Sequence, residues 1–210
     1  MGTNLRFLAI PLALMIVMPL LSPGLEAGGD ANFFLGRKKL GSNLFDLSHQ
    51  GELGAQVSFG GEKWPVMIAV DLLVTGNAGE KEISPGYPGF NAGNEPRDVA
   101  VATAELGVGV RKIWSYDTIP IRPYVGGGVA LVSAAVVIQD DDSGRNIADD
   151  SDVVVGPWLD AGALWRLGPK LNLGLGARYS KALVDLEGVG FTRELQVGGV
   201  HFIMLAGWGW

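Results

Sequence analysis

The chain has 210 residues, a formal net charge of −6, 32 glycines and no cysteine. The negative charge argues against nucleic acid as a partner, and the lack of cysteine excludes disulfides, thiolate metal sites and lipid attachment through an N-terminal cysteine. Abundant glycine and β-branched residues favour strands over helices, and the length suits a single domain.

The first 27 residues have the order of a secretory signal peptide. Arg6 precedes an apolar stretch that is shorter than the roughly 20 residues of a membrane-spanning helix, and small residues follow it up to Ala27. We therefore expect cleavage after Ala27, with residues 1–27 as the signal peptide and residues 28–210 as one exported domain. A retained membrane anchor is the alternative.

The rest of the chain consists of segments in which apolar residues alternate with polar or small ones. A period of two is typical of strands with one apolar and one polar face. The eight predicted strands are residues 32–39, 52–59, 66–75, 100–111, 121–138, 155–167, 171–183 and 200–210. Phe33 and Phe34 are adjacent, so the facing of the first strand stays open. A membrane helix is the alternative for the uncharged stretch 123–138, but its three consecutive glycines would each cost a helix about 1 kcal/mol relative to alanine.

Tight turns and longer polar loops alternate between these strands. The tight turns are residues 60–63, 115–118 and 168–170, and the loops are residues 41–50, 76–97, 139–152 and a shorter one at 187–192. An antiparallel barrel with both ends in the periplasm requires this order. Aromatic residues lie beside the tight turns and at the end of the chain, where a membrane-interface girdle is expected: Trp64, Trp114, Tyr116, Trp165, Trp208 and Trp210. A soluble sandwich or a lipocalin-like barrel is the alternative.

With its leader, its order of turns and loops, and a closing strand that ends on an aromatic residue, the chain resembles a known family. This family is the small eight-stranded outer-membrane barrels, which include the transmembrane domain of outer membrane protein A and the opacity-type barrels. The resemblance covers essentially residues 30–210 and implies an all-β, eight-stranded antiparallel transmembrane barrel in the outer membrane of a Gram-negative bacterium. It also implies contact with outer-membrane lipid and lipopolysaccharide, and insertion by the outer-membrane assembly machinery through the C-terminal strand. Many members end in phenylalanine, whereas this chain ends in Trp210.

If the polar faces point into the lumen, four acidic residues meet four arginines there. They are Glu52, Asp71, Glu105 and Asp160 on one side, and Arg111, Arg122, Arg166 and Arg178 on the other. Side chains fill the interior of a barrel of eight strands. We therefore predict that these charges pair and plug the lumen, with a selectivity lining or a proton path as the alternative.

Two other kinds of site fit the sequence less well. Lipid A deacylases of similar barrel size carry a serine, a histidine and an acid on the outer surface, but neither His49 nor His201 has a serine at that motif's spacing, and the parity of His201 points inward. The acidic loop with Asp140, Asp142 and Asp150 offers hard oxygen ligands suited to calcium, but it does not follow the helix-loop-helix calcium motif. A flexible acidic loop is the favoured interpretation.

The sequence thus predicts an outer-membrane barrel that has no cofactor, no metal and no enzymatic activity. Its role is structural or in surface interaction and is carried by the extracellular loops, whose ligand the sequence does not identify. A small passive channel is the first alternative, and a lipid-modifying enzyme is the second.

Overall fold

The computed structural model describes residues 28–41, 49–61, 63–82, 96–116, 118–140, 146–186 and 193–210. Residues 1–27, assigned above to the signal peptide, lie outside the described residues. The strands are β1 (Gly28–Leu40), β2 (His49–Gly60), β3 (Met67–Glu82), β4 (Pro96–Ile113), β5 (Ile121–Asp140), β6 (Asn146–Leu167), β7 (Leu171–Ser180), β8 (Leu183–Leu186), β9 (Arg193–Gln196) and β10 (Gly199–Gly209). No helix within these ranges is long and apolar enough to cross a membrane.

Eight of these strands close into an antiparallel barrel in the order β1-β10-β7-β6-β5-β4-β3-β2. The first and last strands seal it, with continuous pairing from Asp30 opposite Gly209 to Leu40 opposite Gly199. This closure confirms the predicted eight-stranded antiparallel barrel. The stretch 123–138 lies in β5, so the membrane-helix alternative is wrong. The short strands β8 and β9 pair only with each other, in the region of the fourth predicted loop.

Several strands extend further toward the loops than the sequence indicates. Pairing of β3 with β4 continues to Glu82 opposite Pro96, and pairing of β5 with β6 continues to Gln139 opposite Asn146, with a register shift beside Ile138. The predicted loops 76–97 and 139–152 were therefore too long. Backbone hydrogen bonds hold a strand pair together without alternating side chains, so the sequence pattern stops before the pairing does.

The two ends of the barrel differ. At one end, which we call the turn end, lie the connections 61–66, 114–120 and 168–170 together with the first and last residues of the barrel. Gly168 has a φ of 68°, a left-handed conformation that favours glycine in a tight turn. The opposite end, called the loop end, carries the other connections between barrel strands, 41–48, 83–95, 141–145 and 181–198.

The two faces of each strand are as different as the alternation predicts. On β7 and β10, Leu175, Phe202 and Met204 point outward and are 63–66% exposed, while Arg178 and His201 point inward and are buried. The open question about β1 is resolved, because Phe33 lies on the outer wall and Phe34 in the interior. The barrel therefore has an apolar outer wall and a polar interior, the reverse of a soluble barrel.

Candidate functional site

The barrel interior holds a balanced set of charges. Within the described residues it contains five acids, Asp30, Glu52, Asp71, Glu105 and Asp160, and five bases, Lys38, Arg111, Arg122, Arg166 and Arg178. All are buried except Arg166, whose side chain is 34% exposed. The structure thus brings all eight predicted residues to the interior and adds Asp30 and Lys38.

The sequence did not identify Asp30 and Lys38 for two different reasons. Asp30 precedes the predicted start of the first strand, and Lys38 belongs to the strand whose facing the adjacent Phe33 and Phe34 left open. With Phe34 inside, the inward parity runs through the even-numbered residues of β1. A longer first strand with that parity would have placed both charges in the lumen.

At the turn end, Asp30 is the common acceptor of several donors. Arg122 donates to both of its carboxylate oxygens at 2.8 and 3.1 Å, Asn172 donates through Nδ2 at 2.7 Å, and Arg166 lies 3.3 Å away. Arg122 also donates through Nε to the hydroxyl of Ser115 at 2.9 Å. This carboxylate therefore ties three donor residues, from β5, β6 and β7, to β1, and Arg122 links the turn residue Ser115 to the same group.

The central group contains two carboxylates and two guanidiniums. Arg111 donates to both oxygens of Asp71 at 3.1 and 3.0 Å and to Asp160 at 2.5 Å, and Arg178 donates to Asp71 at 2.7 Å. The Arg178 guanidinium also lies 4.4 Å from the ring centroid of Trp158, within the range of a cation–π contact. The formal charges of these four groups cancel inside the barrel wall.

Near the loop end, a chain of contacts joins Lys38 to Glu52. Lys38 donates to Glu105 at 2.6 Å, and the Ser180 hydroxyl donates to the same oxygen at 3.2 Å. Ser180 Oγ lies 3.2 Å from His201 Nε2, and His201 Nδ1 lies 2.9 Å from Glu52 Oε2. All five side chains are buried, so the arrangement is a continuous internal polar network.

Comparison with solved structures identifies the fold, whereas no protein-family model and no curated protein matches the chain. The chain is similar to Ail, the attachment invasion locus protein of Yersinia pestis, at 12% identity and a TM-score of 0.53, covering 89% of this chain and 100% of Ail. Outer membrane protein OprG from Pseudomonas aeruginosa has 10% identity, a TM-score of 0.53 and coverage of 88% and 95% of the two chains. Neisserial surface protein A has 14% identity, a TM-score of 0.49 and coverage of 87% and 95%. The fold is that of a small bacterial outer-membrane β-barrel.

In this outer-membrane barrel fold, Ser180, His201 and Glu52 have the contacts of a serine–histidine–acid triad. No sequence pattern indicates it, because the three residues lie on different strands and none is at a motif spacing from another. A nucleophile must reach its substrate, but Ser180 is 1% exposed and its hydroxyl also contacts the carboxylate of Glu105. We therefore assign the three residues to the interior network.

The aromatic residues predicted to form a girdle all lie at the turn end. Their side chains are 40–55% exposed: Trp64, Trp114, Tyr116, Trp165, Trp208 and Trp210. Their contact with a membrane interface stays a prediction.

The predicted loop cation site cannot be placed. Asp142 lies outside the described residues, as do the side chains of Asp140 and Asp150. In the part of the chain that the structure describes, there is no group of three or more acidic or histidine side chains arranged to hold a metal ion.

Proposed function

We propose that the protein is a closed outer-membrane barrel that holds its surface loops at the cell surface and has no enzymatic role. The observation that carries this proposal is the filled interior. Paired charges occupy the turn end, the centre and the region near the loop end, and an eight-stranded barrel is only wide enough for its own side chains. A channel needs a continuous aqueous path, which this packing interrupts.

An apolar cluster adds a second barrier inside the barrel. It consists of Phe34, Leu73, Tyr124, Leu164, Ile203 and Leu205, all at most 4% exposed. The Tyr124 ring centroid lies 5.5 Å from the Arg111 guanidinium, so the cluster adjoins the central charges. An apolar constriction blocks ions by excluding water, even where polar side chains above or below it are hydrated.

Planar-bilayer recording of the purified protein tests this proposal. We expect the wild type to pass no current in steady steps. Trp158, which fills the interior beside Arg178, and Trp165, which points outward from the same strand, give a matched pair of variants. Trp158→Ala is expected to admit a small leak, and Trp165→Ala is expected to stay silent. Large steady steps from the wild type would establish the small passive channel and refute the closed barrel.

The location in the outer membrane also indicates which partners the protein has. We propose that the barrel contacts outer-membrane lipid and lipopolysaccharide, that its C-terminal strand directs insertion by the outer-membrane assembly machinery, and that its loops recognise a surface ligand. One structure of Ail contains the heparin analogue sucrose octasulfate. In this chain, the clustered aspartates of residues 139–152 repel polyanions, so we expect no retention on heparin at physiological salt.

A further inference from the structure

A groove lies on the outer wall of the barrel. It has a volume of about 630 Å³ and crosses β1, β10 and β7 toward the loop end. Its apolar lining includes Leu35, Leu175, Phe202 and Met204, each 60–66% exposed. This volume is within the range of about 300–1,000 Å³ that is typical of ligand clefts.

Strand register places basic side chains next to this apolar lining, on the side of the loop end. Leu35 pairs with Met204, which pairs with Leu175, so these three side chains form one row across the outer wall. Arg37 and Lys39 are the next two outward positions on β1 toward the loop end, and both are exposed. The groove is therefore apolar near the middle of the strands and cationic toward the loop end.

Among the described side chains of β1, β2, β7 and β10, no acidic one points outward to neutralise these cations. The two acidic residues of β1 and β2, Asp30 and Glu52, both point inward, and β7 and β10 contain none. His49 of β2 lies opposite Lys39 of β1 and also lines the groove. Lys181 is exposed just beyond β7. The groove thus presents its positive charge toward the loop end, where an anionic headgroup would lie.

The height of the basic residues matches the outer surface of a membrane. Arg37 is nine positions after Gly28, which lies at the turn end. At about 3.3 Å per residue and a strand tilt of about 40°, that separation corresponds to roughly 23 Å along the barrel axis. The apolar band of such barrels is about 25 Å tall, so Leu35 falls inside it and Lys39 lies beyond it. The backbone of Arg37 lies just below the upper edge of the band, from where its long side chain extends to the headgroups.

We propose that this groove is a binding site for lipid A, the diphosphorylated, multiply acylated anchor of lipopolysaccharide. Arg37 and Lys39 bind its phosphates, and the groove beneath them holds acyl chains. Two cations side by side suit a lipid with two phosphate groups better than a phospholipid with one, and basic side chains that line a groove at the headgroup level are the usual means of binding such lipids. The proposal rests on the outer-membrane location proposed above.

Native mass spectrometry of the folded full-length protein in detergent micelles, titrated with lipid A or with phosphatidylglycerol, tests this site. The wild type is expected to retain lipid A at concentrations where phosphatidylglycerol is not retained. The double variant Arg37→Gln/Lys39→Gln is expected to bind lipid A about 30-fold more weakly, from the usual contribution of each basic residue at an anionic surface. The matched control Lys63→Gln/Lys112→Gln removes the same charge at the turn end and is expected to change affinity less than twofold.

Two results would overturn the site. If the turn-end control weakens binding as much as the groove variant, net charge and not the groove controls affinity. If phosphatidylglycerol binds as tightly as lipid A and is equally sensitive to Arg37→Gln/Lys39→Gln, the groove recognises a general phospholipid headgroup. Folding of the wild type into vesicles that lack lipid A, measured in parallel, shows whether the membrane location itself stands when lipid A binding fails.

Discussion

An arginine introduced at two depths of the same strand tests the membrane-spanning architecture. Leu171 and Leu175 both lie on β7, both point outward and are 48% and 66% exposed. Leu171 directly follows the turn 168–170, whereas Leu175 lies in the middle of the strand. The substitutions Leu171→Arg and Leu175→Arg are chemically identical, so a difference between them reports depth alone.

The register of β7 gives the expected magnitude. Leu175 is four positions beyond Leu171, which corresponds to about 10 Å along the membrane normal at about 3.4 Å per residue and a tilt of about 40°. In an apolar band about 25 Å tall, a residue that far from the turn end lies near the midplane. Arginine there costs about 2–4 kcal/mol and near the interface about 0–1 kcal/mol, so we expect Leu175→Arg to be the more destabilising by about 2 kcal/mol or more.

Denaturant titration of the protein folded in lipid vesicles measures both free energies of unfolding. The slope with denaturant concentration should match that of the wild type, so that the shift in midpoint reports stability. Equal and small effects at the two positions would mean that the outer wall faces water, and a soluble barrel would then replace the membrane barrel. Equal and large effects would refute the assigned depths.

Three further predictions address the interior. Asp71→Leu removes a partner from both Arg111 and Arg178 and should lower the free energy of unfolding, measured by denaturant titration, by about 3–5 kcal/mol. Arg178→Leu should lower it less, because Asp71 keeps its hydrogen bonds to Arg111. The opposite order of the two effects would contradict the assigned pairing. Gly176→Ser should destabilise the barrel despite its small size, since an added side chain meets the Tyr124 hydroxyl; a wild-type unfolding midpoint would be the contrary result. Ser180 should not react with a fluorophosphonate probe in the folded protein, and specific labelling that is lost in Ser180→Ala would instead indicate an accessible nucleophile.

Interior pairing was the part of the site that the sequence described least well. The sequence predicts four acids paired with four arginines, whereas in the structure Asp71 is shared by Arg111 and Arg178. Likewise, Arg122 and Arg166 pair with Asp30, which the predicted strands did not include. Salt bridges across a lumen depend on how far neighbouring strands are shifted against each other, and a single sequence carries no direct signal of that shift.

The sequence by itself determined the number of barrel strands, their order of turns and loops, and which face of most strands is apolar. These properties are local, because alternate side chains of any strand point to opposite faces and a membrane requires one of those faces to be apolar. Tertiary structure alone decided the facing of β1, the extension of the strands beyond the alternating segments and the meeting of Ser180, His201 and Glu52. It alone also placed the basic residues of β1 beside the apolar side chains of β7 and β10. These contacts join residues far apart in the chain, and only the register and closure of the barrel bring them together.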